Sequence, residues 1–183
     1  MTKTLLLDAD GLRRTVNRLS HEIVEKNKGV QDVVLVGIRT RGEFLAHRVA
    51  KKIEEIENIE VQVGVLDITL YRDDLRGRLD QPELKNSEIL FDIRGKIIVL
   101  IDDVLFTGRT IRSALNALMD LGRPAMIQLL VLVDRGHREL PIKADFVGKN
   151  VPTSRGCEIK VRLTEVDDED SVYLIEANGK ENE

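Results

Sequence analysis

The sequence predicts an α/β fold, a mainly parallel central sheet flanked by helices, and three observations carry that prediction. Val33 to Val36, Ile97 to Ile101 and Ile127 to Val133 are short, nearly unbroken aliphatic runs, the pattern of strands buried on both faces of a parallel sheet. Segments with apolar residues at helical spacing separate them. Each run also ends in a polar loop, which is what a ligand crevice at the carboxyl edge of one sheet requires.

Taken in order, Asp8 is positioned to cap a first helix, whose apolar stripe is Leu12, Val16, Leu19 and Ile23 and whose stop signal is Gly29. Arg14, Asn17, Arg18 and His21 share a second face of that helix, which by itself reads as solvated surface. The strand at Val33 to Val36 runs into Gly37-Ile-Arg-Thr-Arg-Gly42. A cap and a turn account for the glycines; Arg39 and Arg41 in so tight a loop suit an anion. A helix is expected from about Glu43 to Ile56, then a strand from Val61 to Leu70. From Arg76 to Arg94 the chain is polar and aperiodic, so 71–94 is expected to be a mobile loop covering the site, with Tyr71 and Arg72 at its root.

The most informative stretch is Ile97 to Thr110. After five aliphatic residues come two adjacent carboxylates, Asp102 and Asp103, then Val104-Leu-Phe106, then Thr107-Gly-Arg-Thr110. Ile111, Ala114, Leu115, Leu118 and Leu121 then recur at helical spacing. A helix N-terminus presents unpartnered amide hydrogens and partial positive charge, so a threonine and glycine loop there makes a phosphate-sized cradle. Hydrogen bonds to a charged group contribute roughly 1.5 to 3 kcal/mol each, so three or four hold a phosphate monoester without a lysine. The acids would repel that anion, and belong beside it on something neutral or cationic, such as ribose hydroxyls. Either fragment alone is more simply a solvated turn or a cap; joined in one run they describe a sugar phosphate site.

The third long strand, Ile127 to Val133, ends in Asp134-Arg-Gly-His-Arg-Glu-Leu-Pro141. Ala144 to Val147, Ile159 to Leu163 and Val172 to Ile175 look like shorter strands closing the domain, and Glu165 to Asp170 reads as a solvated acidic turn.

At 183 residues the chain fits one domain, 1–183, with one well-filled core. Hydrophobic residues at 42% and charged residues at 33% are the balance of a globular protein, and no apolar run reaches membrane-spanning length, so no membrane partner is expected. The apolar stretch after Met1 is too short for a secretion signal, and a cytoplasmic location is expected. Cys157 is the single cysteine, which excludes an internal disulfide and gives no support to a cysteine metal cluster. The absence of tryptophan and a net charge of -4 argue against nonspecific nucleic-acid binding.

The run from Ile98 to Thr110 resembles the phosphoribosyl diphosphate signature of the type I phosphoribosyltransferases. That resemblance implies their fold, a central sheet with a small hood region. It also implies that Asp102 and Asp103 hold the ribose hydroxyls, that Thr107, Gly108, Arg109 and Thr110 bind the 5'-phosphate, and that Thr40 and Arg41 receive the pyrophosphate. Leu66 to Leu75, Val131 to Pro141 and Val147 to Ser154, with the helix from Arg13 to Glu22, narrow the likeness. Together they resemble the bacterial pyrimidine operon attenuation proteins that are also uracil phosphoribosyltransferases. Phe106 stands where that family usually has tyrosine, and Arg155-Gly-Cys157 is less typical of it.

The family implies two activities: phosphoribosyl transfer from phosphoribosyl diphosphate to uracil, giving UMP and pyrophosphate, and uridine-nucleotide-dependent binding (UMP or UTP) to the leader mRNA of pyrimidine operons. It implies Mg2+, held mainly by substrate since magnesium keeps its waters and takes few protein ligands, with no protein-only metal site. Uracil is expected at the backbone of Val133, Asp134 and Arg135, and RNA at Asn17, Arg18, His21, Arg138, Lys143 and Lys149. The stretch from Asp134 to Arg155 holds five Lys or Arg against three Asp or Glu, a local excess of positive charge in an acidic chain. A homo-oligomer, dimer or higher, is expected. Two other readings stay open: a nucleotide-sensing RNA-binding regulator with vestigial catalysis, and a purine phosphoribosyltransferase.

Overall fold

The computed structural model describes residues 2–69 and 87–176. Five strands form one parallel sheet: β2 (Val33–Ile38), β3 (Val63–Leu66), β4 (Ile97–Leu105), β5 (Met126–Asp134) and β6 (Phe146–Asn150), in the order β3-β2-β4-β5-β6. The three strands whose loops looked functional, β2, β4 and β5, are neighbours, so those loops emerge side by side.

Strand alternation explains why both faces are apolar. Val99 and Ile101 point to the layer of α1 (Ala9–Asn27) and α2 (Arg41–Glu57), packing with Leu12, Leu19, Leu45 and Val49. Ile98 and Leu100 point to the other layer, with α3 (Arg109–Leu121) through Ile111, Ala114 and Leu118. A continuous aliphatic run is thus the sequence of a strand with a helix on each side.

Helix α1 starts as expected, with Asp8 Oδ1 accepting from Gly11 N at 2.7 Å, and it ends at Lys28 in the left-handed conformation before Gly29. Helix α2 starts at Arg41, two residues earlier than predicted, which moves Arg41 from the loop into the first helical turn. The strand expected at Val61 to Leu70 is only β3, Val63–Leu66; Leu70 lies outside the described residues.

Of the cover expected over 71–94, residues 87–94 are described. Glu88 pairs with Val65 in an antiparallel bridge, and Ile93 is buried against the α3 layer, with Ile89 and Phe91 packed beside it. The remainder, including Tyr71 and Arg72, lies outside the described residues.

A second, three-stranded antiparallel sheet, β1-β8-β7, forms the hood from β1 (Thr2–Leu7), β7 (Cys157–Arg162) and β8 (Ser171–Glu176), with the short helix α4 (Thr164–Asp167) between β7 and β8. Strand β1 was not anticipated. Thr2–Leu7 is short and largely exposed, and it is a strand because β8 offers it a partner edge.

Candidate active site

Asp102 and Asp103 follow the aliphatic run inside β4, which continues to the buried Leu105, and Asp102 is level with Val131 on β5. Asp102 is 8% exposed and Asp103 half-buried. Each carboxylate accepts from the next amide, Asp102 Oδ1 from Asp103 N at 2.9 Å and Asp103 Oδ1 from Val104 N at 2.8 Å. Burial, reinforced by the charge of Asp103, pushes the Asp102 carboxyl well above the usual carboxylate range. Burial also raises that of Asp103, against the pull of its own amide bonds and of Arg41. Two acids kept reluctant to ionise side by side are poised to accept a cationic or hydroxyl-bearing group.

The loop after β4 turns at Phe106, Thr107 and Gly108 into α3. Gly108 is the N-cap residue with φ of 92°, a left-handed conformation suited to glycine. Thr107 O accepts from Glu139 N at 2.9 Å and Leu140 N at 3.3 Å, and Arg109 Nε donates to Glu139 at 2.7 Å. The loop is therefore braced from behind by 139–142, with Arg109 and Thr110 exposed at the helix start.

The loop after β2 is seated by backbone contact. A Cβ on Gly37 would lie 2.4 Å from Gly42 O, and one on Gly42 would lie 2.4 Å from Ile101 O, so glycine lets this loop rest directly against the strand that carries the acids. Thr40 is exposed at the N-cap of α2, and the Arg39–Thr40 peptide is cis. The two arginines part ways. Arg39 turns to Glu43 and Glu88. Arg41 turns to the hood, where Nε and Nη2 meet the Asp167 carboxylate at 3.2 and 2.9 Å.

That contact corrects the reading of Glu165 to Asp170 as a solvated turn. Asp167 pairs with Arg41, while Glu165 and Asp170 both pair with Arg48 at 2.6 and 2.7 Å. The partners lie more than a hundred positions away, |i−j| of 117 to 126, so no local signal could have revealed them.

The loop after β5 forms the third wall. Val133 is buried, Asp134 accepts from Gly136 N at 3.0 Å, and Arg135 is buried with its guanidinium 4.0 Å over the Phe106 ring. Arg135 also donates to Thr153 Oγ1 and Ser154 O, and Phe106 meets His137 edge-on at 6.0 Å between centroids. Phe106, the departure from the family's tyrosine, thus serves as a flat platform.

The residues expected at RNA divide. Arg138 is drawn inward: it pairs with Asp134 and donates to Phe106 O and Ile142 O, both at 2.9 Å. Arg18 pairs with Glu22 and donates to Gly148 O at 2.6 Å, while Lys149 Nζ donates to Leu6 O at 2.9 Å. His21 and Lys143 are exposed and Asn17 is half-buried. The Arg18 bonds to β6 bring α1 alongside the strand that follows Lys143, so the two basic segments share one side of the molecule.

A separate cleft of about 520 Å³ lies between α1 and α2. Most of its charges are mutually paired, Arg13 with Asp10, Lys52 with Glu55 and Arg48 with Asp170, unlike the acid pair on β4.

A family model described as a phosphoribosyl transferase domain matches residues 4–165. The chain belongs to the phosphoribosyltransferase family. Among curated relatives, the bifunctional protein PyrR of Thermus thermophilus is 61% identical over 97% of this chain and 98% of its own. That of Pelotomaculum thermopropionicum is 59% identical over 95% and 96%. In fold the chain is similar to the hypoxanthine phosphoribosyltransferase of Trypanosoma cruzi, with a TM-score of 0.72 at 16% identity over 96% of this chain and 97% of that one. At that identity the likeness speaks for the type I phosphoribosyltransferase fold alone.

Proposed function

We propose that this phosphoribosyltransferase acts on uracil, forming UMP and pyrophosphate, and that with UMP or UTP bound it grips the leader mRNA of pyrimidine biosynthetic operons and favours termination. The observation that carries the enzymatic half is the Asp102–Asp103 pair, one buried and one half-buried, near the carboxyl ends of three neighbouring parallel strands, between a glycine-capped helix N-terminus and an arginine-bearing loop. Near-full-length identity to proteins named bifunctional supports the second half.

The 5'-phosphate sits on the amides of Thr107 to Thr110, and the ribose diol on the two acids. The C1–oxygen bond to pyrophosphate breaks with its electron pair leaving on oxygen, the uracil N1–C1 bond forms, and the N1 proton goes to solvent. As the bond loosens, the sugar ring gains positive charge. Burial disfavours the charged form of Asp102 and Asp103, and positive charge growing beside them favours it, so their stabilisation grows toward the transition state. Arg41 faces the departing pyrophosphate. Uracil meets the backbone of Val133, Asp134 and Arg135, walled by Phe106.

The donor set fits a magnesium ion carried in by substrate. Among the described residues no group of three or more His, Cys, Asp or Glu is placed to hold a metal, and Mg2+ usually takes one or two carboxylates with substrate oxygens and water. Asp102 and Asp103 are the acids that would face it, and when bound it would neutralise pyrophosphate charge.

For RNA, His21 and Lys143 are the side chains that reach out, with Arg18 and Lys149 shaping the same face. No described helix is long and apolar enough to cross a membrane; we place the protein in the cytoplasm as a homo-oligomer, dimer or higher, to be checked by light scattering.

Turnover of labelled uracil with phosphoribosyl diphosphate and Mg2+ tests the enzyme. UMP should form, and hypoxanthine or adenine should not compete; well-folded protein that makes no UMP, or prefers a purine, removes the proposal. A gel shift of the leader hairpin should tighten with UMP. Equal binding to any RNA, abolished by modest salt, would speak against the regulatory half.

A further inference from the structure

We infer that Asp167, in the hood, is a positioning residue for Arg41, an inference that rests on the reading of Arg41 as the pyrophosphate-facing side chain. The two residues come from opposite parts of the chain and meet through three contacts: Arg41 Nε to Asp167 Oδ2 at 3.2 Å, and Nη2 to Oδ1 and Oδ2 at 2.9 and 3.1 Å. All three use one edge of the guanidinium. The Nη1 edge, with two donors of the five that an arginine carries, is not spent on Asp167.

The anchor is itself anchored. Leu163 N donates to Asp167 Oδ2 at 3.1 Å, and Arg41 holds the Asp167 carboxyl below the usual carboxylate range, so it stays charged. Arg48 lies two turns beyond Arg41 on α2 and therefore on the same face. It clamps Glu165 on α4 and Asp170 just beyond it at 2.6 to 2.8 Å. Two arginines of one helix face thus dock the acidic segment, and the segment in turn fixes where the first of them points.

A free arginine has many rotamers, and holding it before substrate arrives removes an ordering step from binding. Asp103 feels Arg41 as a favourable charge, so a guanidinium held on one edge by the hood acid is also within electrostatic reach of the acid pair on β4. Asp167 orients Arg41 rather than competing with pyrophosphate for it, and the two roles have opposite signs when the carboxylate is removed.

The test measures the KM for phosphoribosyl diphosphate and the inhibition constant of inorganic pyrophosphate in the full-length protein, Asp167→Asn, Arg41→Ala and the double variant, with melting temperatures alongside. Asp167→Asn should raise both constants about tenfold, the scale for losing a supporting partner, with kcat changed less than KM. Asp167→Glu should recover part of the loss. In the Arg41→Ala background the Asp167 change should have no further effect, because it acts through that side chain.

If Asp167→Asn tightens pyrophosphate binding, leaves it unchanged while Arg41→Ala weakens it, or acts equally with Arg41 absent, the positioning role is wrong. If Arg41→Ala itself leaves pyrophosphate binding intact, the reading of the loop fails first and takes this inference with it. Should Asp167→Asn fold poorly, the Asp167→Glu variant and its double with Arg41→Ala decide between the same outcomes.

Discussion

The loops after β2 and β4 both lead from a buried strand into a helix N-terminus, yet they are completed from different distances. The loop after β4 is braced by residues about thirty positions on, through Arg109 with Glu139 and Arg138 with Phe106 O. The loop after β2 depends on the hood, through Arg41 with Asp167 at a separation of 126. On the proposed function the first offers an anion its backbone amides, which need only a turn and a glycine. The second uses a long side chain, which needs a partner to hold it. The loop after β4 is therefore completed by its near neighbours in sequence, while the loop after β2 is completed across most of the chain.

The largest effect should come from the acids that lie between the two loops. Asp102→Asn or Asp103→Asn is expected to lower kcat/KM about 10²- to 10³-fold, the scale for losing one preorganised electrostatic group. The same changes should stabilise the fold at neutral pH. The folded pKa values are raised above the unfolded value, so each carboxylate opposes folding once ionised. That penalty is absent below about pH 4, the unfolded carboxylate value, and grows as pH rises toward the raised folded values. Melting curves should show Asp102→Asn equal to the parent in acid and more stable above it, by about 2–4 °C per kcal/mol for a chain of this size. A variant less stable than the parent at pH 7 would mean that these acids hold the site together, not that they strain it.

Next come the glycines, which separate the two loops by mechanism. Gly42→Ala would ordinarily gain about 1 kcal/mol of helix propensity. Here its Cβ would lie 2.4 Å from Ile101 O, and overpacking of that kind costs about 1–3 kcal/mol or more, so the clash wins. Melting temperature should fall, and the KM for phosphoribosyl diphosphate should rise because α2 is lifted from β4. Gly108→Ala meets nothing closer than Ile142 Cδ1 at 3.3 Å, a flexible side-chain end. Its cost is conformational, about 1–2 kcal/mol for a left-handed residue with a Cβ, and its kinetic effect should fall on phosphate binding. If Gly108→Ala destabilises more than Gly42→Ala, the loop after β4 is the tighter of the two.

The same division explains what could be read in the sequence. The aliphatic runs of β2, β4 and β5, the Asp8 cap and the acid-to-glycine run of Asp102 to Thr110 are decided within a few residues, and periodicity or capping chemistry exposes them. Strand β1 exists through its pairing with β8, which no local propensity in Thr2–Leu7 announces. Asp167 reads as one more solvated acid because its charged partner, Arg41, lies 126 positions away. Arg138 is placed at RNA by resemblance alone, and its inward bonds to Asp134 and Phe106 O are contacts that the sequence does not display.

The smallest effect is expected at Phe106, and it bears on whether catalysis here is intact. The ring accepts the Arg135 guanidinium at 4.0 Å on its face and His137 on its edge, and neither contact needs a hydroxyl. Phe106→Tyr should therefore change kcat by less than about threefold, since a face-on cation–π contact worth about 0.5–2 kcal/mol is kept. Phe106→Leu removes the aromatic face, frees Arg135 from one of its constraints, and should raise the KM for uracil more than that for phosphoribosyl diphosphate. A vestigial enzyme predicts the reverse: tyrosine would restore activity by tenfold or more, and leucine would make little difference. Steady-state kinetics on the two variants at saturating phosphoribosyl diphosphate distinguish a platform that works through its ring from one waiting for a lost oxygen.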